Sequence, residues 1–119
     1  MPTAGEVYDL QIPAPIGPWS NKSRMHPGLV VSRQIVGSDR PWIVVPMTGT
    51  KPHAERPSHV LLEEKIGTLD PPLWICCEYP TTVPQDMLVQ QARRGFLRTS
   101  TMTLVRAKLA WALGLGFGT

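Results

Sequence analysis

The sequence predicts a mostly β domain with a single C-terminal helix, folded as a barrel or sandwich of short strands. Three observations carry this. Thirteen prolines and ten glycines among 119 residues interrupt regular structure too often for a helical bundle. The apolar residues fall in short runs bounded by turn formers, as at Leu29-Val30-Val31 and Trp42-Ile43-Val44-Val45, which is the pattern of buried strands. Helical periodicity of apolar residues appears near the C-terminus alone. An apolar fraction of 42% and a charged fraction of 18% are those of a folded globular chain, and the length suits one domain, 1–119, with one core.

Residues 5–12 alternate well enough to form a first strand, which Pro13, Pro15, Gly17 and Pro18 stop. Gly17 to Met25 is polar and is expected to be a long exposed loop, with Trp19 its one large apolar residue. Pro27-Gly28 introduces a second strand at Leu29-Val30-Val31, Gly37-Ser38-Asp39 makes a turn, and Trp42 to Met47 is a third strand. Thr48 to about Pro57 is a second polar loop. His59 to Leu62 and Trp74 to Tyr79 read as strands, with an irregular stretch from Gly67 to Pro72 between them, and Gly95 to Arg98 as a last short strand. The helix is expected to begin after Ser100 or Thr101, either able to cap it, and to run to about Leu113. Its apolar face is broad: Leu104, Lys108 and Trp111 form one stripe, and Val105, Leu109 and Ala112 the next. Gly114 and Gly116 end it, and 116–119 should be loose.

Several functional classes are disfavoured. No P-loop, zinc-protease helix motif or strand-linked nucleotide-binding glycine pattern is present. Cys76 and Cys77 are adjacent, so in a strand they point to opposite faces, which does not suit an ordinary bridge. They read as reduced packing residues of a cytoplasmic protein, and neither they nor His53 and His59 have metal-ligand spacing in the sequence. The expectation is therefore no metal and no cofactor. No signal-peptide pattern opens the chain, and no apolar run is long enough to cross a bilayer. The net charge of +3 is unevenly placed: residues 20–60 hold six basic and two acidic side chains, together with all three histidines. A basic segment of that kind can form a face for a polyanion.

The order of the pieces is similar to that of the MazF/PemK toxins. Gly5-Glu6-Val7-Tyr8 resembles the family's opening strand. Pro27-Gly28-Leu29-Val30-Val31-Ser32 resembles its "RP-x-LVVS" strand, and Val45-Pro46-Met47-Thr48-Gly49-Thr50 its third strand end. His59-Val60-Leu61-Leu62, Ile75 to Val83, and Gly95-Phe96-Leu97 through Leu113-Gly114-Leu115 follow in the family's order. The resemblance covers nearly the whole chain. It implies an SH3-like β barrel with a C-terminal helix, a homodimer, and a cognate antitoxin as partner. It also implies metal-independent cleavage of single-stranded RNA, in which a ribose 2′-OH attacks the adjacent phosphate to leave a cyclic phosphate and a 5′-OH.

That reaction needs a base for the 2′-OH, an acid for the leaving oxygen and donors for the developing charge. The resemblance assigns the work to the arginine of the "RP" motif and to the threonine that ends the third strand. Thr48 matches the threonine, whereas the arginine position holds His26. An imidazole is a better general base near neutrality than a guanidinium, but it supplies less fixed positive charge. Arg24, two residues earlier, is the alternative bearer of that role, and the catalytic set is His26, Thr48 and Arg24. The expected RNA contacts are Trp19, Lys22, Lys51, Tyr79 and Thr81. A second departure is Pro80, which stands where the family carries an arginine. Two other functions fit the same fold: a non-catalytic module binding nucleic acid or a protein, and a gyrase-binding toxin of the CcdB type.

Overall fold

The computed structural model describes residues 2–10, 25–49, 56–89 and 92–115. Within these, seven strands form one curled half-barrel sheet. They are β1 (Glu6–Leu10), β2 (His26–Val30), β3 (Trp42–Thr48), β4 (His59–Leu62), β5 (Leu73–Cys76), β6 (Thr81–Val83) and β7 (Arg93–Phe96). A short helix, α1 (Gln85–Val89), precedes β7, and α2 (Thr99–Ala112) follows it. The strand order is β4-β5-β3-β2-β1-β7, every pairing is antiparallel, and β6 also pairs with β3.

β3 is the spine of the sheet. Along one edge it carries β2 (Leu29 opposite Val45). Along the other edge it carries two strands in succession: β6 lies beside Trp42–Val44 and β5 beside Met47–Thr48. Pro46, with no N–H to donate, sits where one neighbour gives way to the other, and the ladder breaks there. The expected strand from Trp74 to Tyr79 accordingly stops at Cys76. Residues 77–80 leave the sheet, and the chain rejoins the same edge of β3 at Thr81. Pro80, the second residue without an N–H, ends the excursion.

Alternation along the strands sends side chains to two apolar clusters. The larger contains Val7, Leu29, Val45, Met47 and Ile75 and is covered by Met102 and Val105 of α2. The smaller contains Tyr8, Leu10, Val30, Trp42 and Val44, is covered by Leu88 of α1, and fills the opposite face. Past β4 the chain turns back over β7, where Thr68 N–H donates to the Arg94 carbonyl at 2.9 Å. This seam requires glycine twice. A Cβ on Gly67, whose φ is +56°, would run into the Arg94 carbonyl, and one on Gly95 would crowd the Ile66 carbonyl.

The strands lie where the sequence places them, with shifted ends: β2 begins at His26 rather than Leu29, and β7 spans Arg93–Phe96 rather than 95–98. β6 and α1 were not anticipated. α2 begins at Thr99, with Arg98 as its N-cap residue and no side-chain capping bond, so Ser100 and Thr101 lie inside the helix. Its inward stripe is Met102, Val105 and Leu109, whereas Leu104 and Trp111 are about half exposed. The end of the first strand past Leu10 and the tail 116–119 fall outside the described residues.

Candidate functional site

His26 opens β2 and Thr48 closes β3, so the antiparallel pairing brings both to the same end of the sheet. The register Gly28 to Pro46, carried two residues further along each strand, sets His26 opposite Thr48. His26 also stands opposite Leu10 on its other side, and Thr48 opposite Trp74, which in turn faces Leu61. Directly opposed residues project to the same face. A row therefore crosses five strands: Leu10, His26, Thr48, Trp74, Leu61. It rises from the buried Leu10 through three half-buried side chains to the exposed Leu61. A base and a hydroxyl at the half-buried centre of such a row can both reach a molecule laid across it. Pairing of His26 with Leu10, and of Thr48 with Trp74, holds their Cα positions and leaves side-chain rotation as the main freedom.

The excursion at 77–80 borders this face. Thr81 opens β6 opposite Val44, and its hydroxyl donates to the Tyr79 carbonyl at 3.3 Å. Tyr79 is half-buried, and its hydroxyl oxygen lies 3.4 Å from Arg56 Nη1. Arg56 also meets Glu78 Oε2 at 3.1 Å, and the same oxygen lies 2.8 Å from His59 Nε2. Burial would raise the Glu78 carboxyl, but hydrogen bonds from its own backbone, Ser58 and His59 outweigh it and hold it below the ordinary value. Bonding to Tyr79, before the attraction of Glu78, raises the Arg56 guanidinium further. Arg56, His59 and Glu78 were not among the expected site residues. Pairing of β4 with β5 and the break at Pro46 bring them together across nineteen positions of sequence separation, a link that local spacing does not carry.

Cys76 and Cys77 are both free and buried, and they point to opposite faces as expected of strand neighbours. Cys77 faces α2, where its sulfur lies 3.9 Å from the Val105 carbonyl. Burial first, and the nearby Glu78 second, push both thiols up to about 12. Thiolate chemistry near neutrality is thereby suppressed.

A concavity of about 400 Å³ lies elsewhere, at the seam lined by Lys65, Arg93, Arg94 and Arg98 among others. Its cations are matched by carboxylates: Arg93 with Glu6, Arg94 with Asp9, Arg98 with Glu64 and Lys65 with Asp70. These pairs staple β7 and the seam to their neighbours rather than leave a bare cationic surface. Of the expected site residues, His26, Thr48, Tyr79 and Thr81 are thus placed on or beside one face. Trp19, Lys22, Arg24 and Lys51 lie outside the described residues.

No curated protein matches the sequence. Among solved structures, an endoribonuclease in complex with its cognate antitoxin from a mycobacterial species superposes with a TM-score of 0.70 at 20% identity. It covers 98% of this chain and 99% of that one. A MazF toxin of Mycobacterium tuberculosis superposes at 0.65 with 18% identity, covering 92% and 96%. A MazE–MazF structure from Deinococcus radiodurans superposes at 0.64 with 16% identity, covering 95% of each chain. The family model of PemK-like, MazF-like toxins matches residues 3–113. The curled sheet with its C-terminal helix is the fold of these toxins, and the chain belongs to the PemK-like, MazF-like toxins of type II toxin–antitoxin systems.

Proposed function

We propose that the protein is a toxin endoribonuclease that cuts single-stranded RNA, in the cytoplasm, by attack of the ribose 2′-OH on the adjacent phosphate. The observation that carries this reading is the shared row of His26 and Thr48 at one end of the β2–β3 pair. His26 takes the proton from the 2′-OH, which becomes the nucleophile. The O2′–P bond forms, the P–O5′ bond breaks, and the leaving oxygen takes a proton from water to give a 5′-OH, while His26 returns its proton to solvent. Thr48 donates to the phosphoryl oxygens as charge gathers on them. Arg24 supplies the positive charge that the histidine lacks, or replaces it as the family's arginine. Tyr79, stacking on a base, and Thr81 extend the contact along the strand edge, with Trp19, Lys22 and Lys51 from the two polar segments of the sequence.

The nucleophile comes from the substrate, so the scheme uses no metal ion and no cofactor. A homodimer and a small antitoxin complete the reading. Large apolar side chains at and after α2, including Leu104, Trp111, Leu113 and Leu115, are about half exposed and suit a covering partner. The test is incubation of purified protein with mixed single-stranded RNA in EDTA, followed by end analysis. Fragments with a 2′,3′-cyclic phosphate and a 5′-OH are expected. Intact RNA would favour the non-catalytic module, and cutting that strictly requires Mg²⁺ would overturn the mechanism.

A further inference from the structure

We propose that His59, Cys76 and Glu78 form a binding site for a zinc-class divalent ion, at the point where β5 leaves the sheet. One ring nitrogen, the sulfur and one carboxylate oxygen lie within 4.8 Å of one another. His59 and Cys76 are directly opposed on β4 and β5, and Glu78 returns from the excursion to reach His59 Nε2 at 2.8 Å. Donors around a tetrahedral zinc, bonded at about 2.0–2.3 Å, stand about 3.3–3.8 Å apart, so the wider contacts must close by about 1 Å and the 2.8 Å hydrogen bond between His59 and Glu78 must open.

The site is enclosed. Cys76 is 1% exposed, and the side chains of His59 and Glu78 are 8% and 16% exposed. Within it, His59 Nδ1 is buried and has no hydrogen-bond partner among the described residues. Unpartnered buried polar atoms are costly and uncommon in native folds, and an imidazole nitrogen is a metal-ligand atom. A mixed nitrogen, sulfur and oxygen set suits zinc and its transition-metal neighbours rather than Mg²⁺ or Ca²⁺, which take oxygen donors. Arg56 is the competing cation, but it occupies Oε2 and its side chain is half exposed, so it can turn into water.

The same three residues also resemble a cysteine nucleophile, a histidine base and an orienting carboxylate. The thiol is too buried to meet a substrate, and burial keeps it protonated. Coordination removes that obstacle: the ion takes the sulfur as thiolate, and one proton passes from the Cys76 thiol to the buffer. Bound there, the ion ties β4 and β5 to the excursion that carries Tyr79. Cys76 and His59 each lie two residues, about 7 Å, along their strands from the His26–Thr48 row. None of the three ligands belongs to the cleavage scheme, so RNA cutting is not the readout.

Protein stripped of metal and titrated with Co²⁺ should develop a near-ultraviolet thiolate-to-cobalt band and intense visible bands of tetrahedral coordination, saturating stoichiometrically and bleached by Zn²⁺. Cys76→Ser should abolish the near-ultraviolet band, while Cys77→Ser keeps it. His59→Ala or Glu78→Gln should weaken binding by more than the roughly 10–100-fold typical of losing an outer hydrogen-bonding partner. A spectrum without the thiolate band, or one that survives Cys76→Ser, overturns the proposal. Should Cys76→Ser not fold, X-ray absorption of the zinc-loaded parent decides the matter. One sulfur at about 2.3 Å beside nitrogen and oxygen at about 2.0 Å is expected, and a shell without sulfur overturns it.

Discussion

At the scale of single residues, His26 and Thr48 are asked for different things. A general base contributes about 10²–10⁴-fold to a reaction of this kind, so His26→Ala should lower the cleavage rate by that range with the fold intact by circular dichroism. Thr48→Ala should also impair cutting, because a donor to the developing charge is lost. Retained activity in His26→Ala together with a dead Arg24→Ala would move the catalytic role to Arg24. Glu6 offers a separate test on the same sheet. It accepts bonds from Thr3 N–H at 2.7 Å, the Tyr8 hydroxyl at 3.0 Å and Arg93 at 3.0 Å. Burial raises its carboxyl, but the Arg93 bond and then those of Thr3 and Tyr8 outweigh it, and the folded-state value lies below the ordinary 4.5. Burial first, and Glu6 second, push Tyr8 up to about 12. A lowered carboxyl contributes stability that is full above its unfolded value and is lost as pH falls through the folded one. The denaturant stability gap between parent and Glu6→Gln should therefore be widest above 4.5 and narrow on acidification; a constant gap contradicts the assignment. The thiols make the plainest case: Cys76 and Cys77 should react with a thiol reagent slowly in the native protein and readily once it is unfolded.

At the scale of elements, the sequence was most legible where apolar runs are long and turn formers bound them. β4 coincides with its expected span His59–Leu62, and the third strand differs only by including Thr48. It was least legible where a long-range partner decides the outcome. Cys77, Glu78 and Tyr79 continue a strand-like pattern, yet Pro46 on the facing strand breaks the ladder and turns them out. α1 was missed because five residues between two strands carry too little periodicity to register. On α2 the sequence could not say which of two adjacent apolar stripes meets the sheet. Met102 is 4% exposed against the larger cluster, so Met102→Ala should cost about 2–5 kcal/mol. Leu104→Ser, on the exposed stripe, should change monomer stability by no more than about 0.5 kcal/mol. Comparable losses in both variants, at a concentration where the protein is monomeric, would mean that Leu104 packs within the monomer. The seam makes a sharper demand: Gly67→Ala must both hold a left-handed backbone and clear the Arg94 carbonyl. It should be strongly destabilised, with a thermal midpoint well below the parent's.

At the scale of the whole molecule, the family and the fold were legible because ordered pieces span nearly the full length, and the family model matches 3–113. The joining of the site was not. His26 and Thr48 are twenty-two positions apart in sequence, and only the β2–β3 register puts them in one row. The proposed homodimer is tested through the exposed side chains of α2: sedimentation at tens of micromolar should give a dimer, and Trp111→Ser or Leu104→Ser should shift it toward monomer. A parent that sediments as a monomer removes that part of the reading. The account as a whole rests on one face of one sheet performing metal-independent RNA cleavage. The most direct measurement is the cleavage of single-stranded RNA in EDTA by the parent, His26→Ala, Thr48→Ala and the double variant, with fragment ends identified. The account predicts cyclic-phosphate ends from the parent, large losses in each single variant, and a double variant little worse than the poorer single, as expected of residues acting as a unit. A parent that cuts while both single variants match it would contradict the account.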